Sequence, residues 1–222
     1  RDQTTVLNAM LSQRYFTDCK PQYLWMPMET LAARLLAKDL RTEGALPYRL
    51  LFHRELRAAL LRELDGVSGC WTKDTGGTHF FWGLDRRAGL FPLRLREEAG
   101  AAVLAGRTSL GEEVTLPFTP QALTEGLRER TLLPCMFLCF LEMHFLRDFT
   151  VFGGFYQPIY LGQMRRGLVR VLRESGDFSE EAAVIAAKSS AMTLGLVYLL
   201  RSSGARTFPV STTELLEKPV SA

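Results

Sequence analysis

The hydrophobic period of this chain changes twice along its length, and that change limits the fold more than any single motif does. Between Met28 and Arg41 the leucines Leu31, Leu35, Leu36 and Leu40 fall on one helical stripe, after Pro27 near a helix start and before Gly44 at its end. Leu56, Leu60, Leu61 and Leu64 repeat the stripe and predict a second helix over Arg49–Leu64, closed by Asp65-Gly66. From Gly69 to Phe118 the chain breaks into short apolar runs parted by turn residues: GCW, KDTGG, THFFWGLD, RRAG, LFPLRLRE, AAVLAG and EVTLPF. After Pro117 and Pro120 the helical period returns.

This order predicts an α+β fold, a central antiparallel β-meander of four or five strands flanked by N-terminal and C-terminal helices. One domain over residues 1–222 is expected, with a helical part at 24–65, the meander at 69–118, a second helical part at 120–204 and a tail at 205–222. In the second helical part the pattern gives a short helix over Pro120–Arg130 and an apolar one over Leu132–Asp148. A break at Gly153-Gly154 follows, then a basic helix over Tyr160–Glu174, and a last helix capped by Ser179 and running to Ser203-Gly204. The tail offers the core only Phe208, Leu215 and Leu216, and no internal repeat is found.

The best-defined hairpin surrounds Arg86-Arg87-Ala88-Gly89, read as a four-residue loop closed by Asp85 and Leu90. Counting outward sets Leu84 opposite Phe91, Trp82 opposite Leu93 and Phe80 opposite Leu95 on the core face. His79 then faces Arg96 and Phe81 faces Arg94 on the other side.

Composition narrows the function. The 222 residues are 47% hydrophobic and 23% charged, the profile of a soluble globular domain with an ample core. A net charge of +3, from 27 basic and 24 acidic side chains, is spread evenly along the chain. Nucleic acid is therefore not expected as a partner. Four cysteines do not make a disulfide framework, and reduced thiols in a cytoplasmic protein are expected. Arg and Leu far exceed Lys and Ile, the codon bias of a GC-rich, bacterial-like genome. Residue 1 is Arg and the first twenty residues lack a signal-peptide pattern, so a processing boundary or a fragment of a larger chain is expected. Two apolar runs are rejected as membrane spans: Leu132–Leu146 holds Pro134, Glu142 and His144, and Ala182–Leu200 holds Lys188 near its middle. P-loop, dinucleotide-binding, hydrolase-elbow and kinase motifs are absent, and no motif names a cofactor.

Several residues are candidates for chemistry. Gly69-Cys70-Trp71 resembles the nucleophile tripeptide of papain-like proteases and transglutaminases over three residues, which makes Cys70 a candidate nucleophile. The turn sequence TKDTGG follows it where those families begin a helix. Asp74-Thr75-Gly76 resembles the tripeptide of aspartic proteases but occurs once, whereas that mechanism needs two carboxylates. His79, Arg94 and Arg96 share a hairpin face suited to a carboxylate or phosphate. His144 and Asp148 sit at i,i+4 in the most apolar helix, as a base and its orienting acid, while Glu142 points away from them. Cys135 and Cys139 lie one turn apart but lack the partners of a zinc site, so no metal is expected. The segment Phe152–Tyr160, with Gly153-Gly154, Gln157 and Tyr160, suits the lid or floor of a ligand site.

These readings converge on a small-molecule-binding or small-molecule-processing domain whose pocket for an acidic ligand lies between the sheet and the apolar C-terminal helices. His144, His79 and Cys70 are its candidate catalytic residues, and Arg94, Arg96, Gln157 and Tyr160 its ligand-binding ones. The alternative is a non-catalytic protein-interaction domain that uses Trp25, Phe81, Phe155 and Tyr156 as an outward contact face.

Overall fold

The computed structural model describes residues 2–15, 26–72, 77–87, 89–151, 156–190, 200–203 and 206–209. The chain divides into two compact units, one formed by residues 1–27 and 195–222, the other by residues 28–194. The first contains helix α1 (Asp2–Tyr15) and an antiparallel hairpin of β6 (Leu200–Ser203) and β7 (Arg206–Pro209).

The larger unit is α+β. Helices α2 (Met28–Asp39), α3 (Leu46–Phe52) and α4 (Arg54–Glu63) precede strands β1 (Phe81–Leu84), β2 (Leu90–Glu98), β3 (Ala101–Arg107) and β4 (Glu113–Pro117). Then come α5 (Pro120–Glu129), β5 (Leu132–Pro134), α6 (Met136–Phe140), a π-helical segment Leu141–Phe145, α7 (Gln157–Ser175) and α8 (Ser179–Ala187). The five strands form one antiparallel sheet in the order β4-β3-β2-β1-β5. The leucine stripes of α2, α3 and α4 enter one core with Trp71, Phe80, Phe137, Phe145, Leu168 and Leu172.

The helices depart from the sequence pattern where side chains capture backbone groups. The helix expected over Arg49–Leu64 is two, broken at His53, whose backbone is extended. Arg57 donates to Leu51 O at 2.8 Å and closes the end of α3. The apolar helix expected from Leu132 begins as a strand, because β1 has an open edge that Leu132 and Leu133 fill opposite Gly83 and Trp82. Pro134, which has no N–H to give a ladder, ends that strand before α6. The last helix starts at Ser179 after Phe178 and stops at Ala187, short of the expected Ser203. There Arg165 donates to Lys188 O and the Lys188 ammonium meets Asp148, so tertiary bonds take over from the helical ladder. Residues 200–203 are a strand, and the part of that expected helix at 191–199 lies outside the described residues, as do Leu215 and Leu216.

The β1–β2 register differs from the expected one by a residue. Leu84 pairs with Leu90, Gly83 with Phe91 and Trp82 with Pro92, around a loop from Asp85 to Gly89. The Asp85 carboxylate accepts from the N–H groups of Arg87 at 2.9 Å and Gly89 at 2.7 Å, and from the Ser109 hydroxyl at 2.9 Å. Those bonds hold its pKa below the ordinary value, the Gly89 N–H foremost. One residue of slip turns every side chain of a strand over. Phe81 and Gly83, not Trp82 and Leu84, therefore join Phe91 and Leu93 on the buried face. Gly83 is there for space: a Cβ on it would lie 2.2 Å from Cζ of Phe91, whose ring covers it. Gly83→Ala is expected to cost about 1–3 kcal/mol, the usual penalty of overpacking. Urea unfolding checks this, and an unchanged midpoint would show that the ring does not lie over Gly83.

Candidate functional site

The turn that leads into β1 gathers Cys70, His79 and Arg94. Trp71 is buried, donates from its indole to Leu61 O at 2.9 Å, and meets the Phe80 ring at 5.0 Å and the His79 ring at 6.0 Å. The Thr78 hydroxyl accepts from Leu93 N–H at 3.0 Å, and His79 N–H donates to Leu93 O at 2.7 Å, so side chain and backbone both fasten the turn to β2. Leu95 N–H donates to His79 Nδ1 at 3.1 Å, and Arg94 Nη1 lies 2.9 Å from Nε2. A protonated imidazole would oppose donors at both nitrogens. Burial first, and the Arg94 charge second, lower its pKa to about 4 against the pull of Asp65. Arg94 also donates to Thr72 O at 2.7 Å.

The expected register is corrected here as well, since His79 meets Arg94 and not Arg96. Arg96 is exposed on β2, opposite Val103 of β3. Cys70 is half-buried, and desolvation pushes its thiol far above the ordinary range, with Cys135 adding to the rise. At neutral pH the thiolate that a nucleophile needs is scarce. Residues 73–76, which include Asp74-Thr75-Gly76, lie outside the described residues, as do 152–155 with Gly153-Gly154.

His144, Gln157 and Tyr160 occupy a second region. The His144 ring is buried between two carbonyls, with Nδ1 3.0 Å from Phe149 O and Nε2 2.9 Å from Ser189 O. Its surroundings are the reverse of those at His79, two acceptors in place of two donors. Asp148 does not orient it, because that carboxylate pairs with Lys188 and its residue has a φ of 57° that takes the chain out of the helix. Gln157 is buried and donates to Val151 O at 2.7 Å. The Tyr160 ring lies 6.0 Å from that of Phe140, and burial raises the pKa of its phenol.

The residue that sequence reasoning placed wrongly is Glu142. On an α-helix five residues turn through about 500°, which sets Glu142 and Arg147 on different sides. The segment is a π-helix, in which Leu146 N–H bonds to Leu141 O, five residues back, and the wider turn brings the two side chains together. Arg147 Nη1 meets Glu142 Oε2 at 2.5 Å and its Nη2 meets Asp39 Oδ2 of α2 at 2.6 Å. Glu142 is wholly buried, and among the described residues its Oε1 has no hydrogen-bond partner. Desolvation raises its pKa to about 8, opposed by Arg147 and reinforced by Asp39.

Two adjoining clefts run along the seam of α2 and α5. One, of about 520 Å³, is lined by Arg41, Glu43, Tyr48, Gln121, Thr124 and Arg128 among others. Its neighbour, of about 270 Å³, has Thr30, Arg34, Arg128, Arg130 and apolar residues of α2, α5 and β5. Arg128 belongs to both. None of Arg34, Arg41, Arg128 and Arg130 takes part in an ion pair among the described residues. Sequence reasoning missed this groove because its arginines are far apart along the chain, and the even distribution of charge concealed them. Comparison with protein-family models, with curated proteins and with solved structures found no match.

The charged triad makes a sharp stability prediction. Arg147→Ala leaves the buried Glu142 and the half-buried Asp39 without their shared hydrogen-bond donor, and is expected to destabilise the protein by about 1–3 kcal/mol in urea unfolding. A change below about 0.5 kcal/mol, as for an ordinary surface substitution, would refute the triad's place in the core.

Proposed function

We propose that the protein binds an anionic small molecule, a carboxylate or phosphate compound, in the groove between α2 and α5. The observation that carries this reading is the position of Arg128 in both clefts, with Arg41 on one side and Arg34 and Arg130 on the other. Guanidinium groups match carboxylate and phosphate oxygens in planar, two-point fashion, and among the described residues these four have no carboxylate partner. Glu43 and Glu125 also line the larger cleft, which leaves the groove a positive excess. Tyr48 and Gln121 add a hydroxyl and an amide that could orient the rest of a ligand, and the larger cleft has the volume of an ordinary ligand site.

This keeps the acidic ligand expected from the sequence and moves its pocket. None of Arg94, Arg96, His144, Gln157 and Tyr160 lines either cleft of this groove. The reading rests on the positive excess of the groove and is therefore one of binding. A cytoplasmic setting is supported by the three free thiols Cys70, Cys135 and Cys139. Among the described residues no helix is long and apolar enough to cross a membrane.

A second reading, the protein-interaction domain, is favoured by Phe149, Tyr156 and Ile159, which are 43%, 77% and 58% exposed near the start of α7. Phe81, expected on such a contact face, is instead wholly buried, and Trp25 and Phe155 lie outside the described residues.

Thermal denaturation against a panel of organic acids and phosphorylated compounds separates the two readings. The groove predicts a stabilisation that grows with the logarithm of ligand concentration, reaching about 2.7 kcal/mol at a hundred times Kd. Arg128→Ala should weaken that binding by about 1.5–3 kcal/mol, the worth of hydrogen bonds to a charged group. No shift with any anion, together with self-association that Ile159→Asp abolishes, would transfer the function to the exposed apolar face.

A further inference from the structure

Around Glu142 the charges do not balance if every group is ionised. One guanidinium, Arg147, bonds both Asp39 and Glu142, so two carboxylates share a single positive charge. The side chains of Asp39 and Arg147 retain 17% and 26% of their exposure, and water screens them in part. Glu142 retains none, and among the described residues its Oε1 has no hydrogen-bond donor. An uncompensated buried charge costs far more than a neutral buried acid. Beside Asp39, α2 carries Glu29 in its first turn and Arg34 and Lys38, which are exposed; the charges felt at Glu142 are those of Arg147 and Asp39. His144 on the same segment is turned to the carbonyls of Phe149 and Ser189, and α6, packed against α2 and this segment, contributes only Cys139 among titratable side chains.

We propose that Glu142 is a buried proton-binding site, whose carboxyl stays the neutral acid at neutral pH because Asp39 already takes the charge of Arg147. The neutral acid still accepts the Arg147 hydrogen bond on Oε2, and the triad then carries no net charge. The upward shift of Glu142 to about 8 agrees with this balance. In the unfolded chain the same carboxyl ionises near its ordinary 4.5. Its contribution to stability is therefore complete below that value, and falls as pH rises from 4.5 to about 8 while only the unfolded chain releases the proton. Above that window the loss is complete, and the attachment of the π-helical segment to α2 rests on a triad with a surplus negative charge.

Infrared spectroscopy of the whole chain tests this, since a protonated carboxyl absorbs apart from a carboxylate. At about pH 6 exposed carboxylates have ionised. A protonated-acid band is expected there in the wild type, and it should vanish toward about pH 9 and be missing from Glu142→Gln. Asp39→Asn supplies an independent arm if the Gln variant does not fold. It frees the whole charge of Arg147 for Glu142, so the band should be absent at about pH 6 in a folded protein. No band in the wild type, or a band that survives Asp39→Asn, would overturn the proposal.

Discussion

Two consecutive phenylalanines, Phe80 and Phe81, are both wholly buried, and a flat strand cannot achieve that on one face. The chain resolves the conflict at Phe80. Its φ is 63°, and Phe81 N–H bonds back to His79 O at 2.6 Å, so three residues close a γ-turn immediately before β1. A bulky side chain in this backbone region is strained by about 1–3 kcal/mol, and the surroundings must over-determine it. They do so from both sides. The Phe80 ring packs on Trp71 and Phe118, its carbonyl accepts from Cys135 N–H at 2.7 Å, and the Thr78 hydroxyl fastens the turn to Leu93. The β1 register, the placement of His79 beneath Arg94 and the seat of β5 along the open edge of β1 all follow from that one turn.

Much of this architecture was legible because it depends on patterns longer than a turn. The stripe of α2 and the four strands of the meander follow from periodicity. The register of β1 did not. It depends on whether Asp85 closes the loop or lies within it, and its carboxylate settles that by bonding two N–H groups of the loop. The γ-turn at Phe80 was equally hidden, since nothing in THFFWGLD distinguishes a continuous strand from one that begins at its second phenylalanine. The short strand β5 is apolar in the same way as the helix that follows it, and only the vacant edge of β1 decides its conformation.

The charged residues of the apolar helix show a different limit. Their presence was an evident anomaly, and the question was which of them meet. A rotation of 100° per residue answered it wrongly, because the helix widens from Leu141 to Phe145. That widening is intelligible from what it accomplishes: it gives a fully buried Glu142 a guanidinium partner that a regular helix would have carried to another side. Asp39 then arrives from α2, more than a hundred residues earlier in the chain. No local pattern could have announced it.

The same logic explains why the residues that looked most functional do not line the groove of α2 and α5. A polar side chain stands out in a sequence when its neighbours are apolar, and that setting is the one in which folding must satisfy it internally. His79 is enclosed by donors, His144 by acceptors, Gln157 by a carbonyl and Arg94 by Thr72 and His79, so each has already spent much of its bonding capacity. Capacity left for a ligand belongs to groups the fold does not need. Arg34, Arg41, Arg128 and Arg130, which form no ion pair among the described residues, are exposed on α2, on the turn after it and at the end of α5, along the seam where those two helices pack. In sequence they resemble ordinary solvated arginines. Their common groove comes from the packing of α2 on α5, with the buried Ala33, Ala37 and Leu127 at its base beside the arginines.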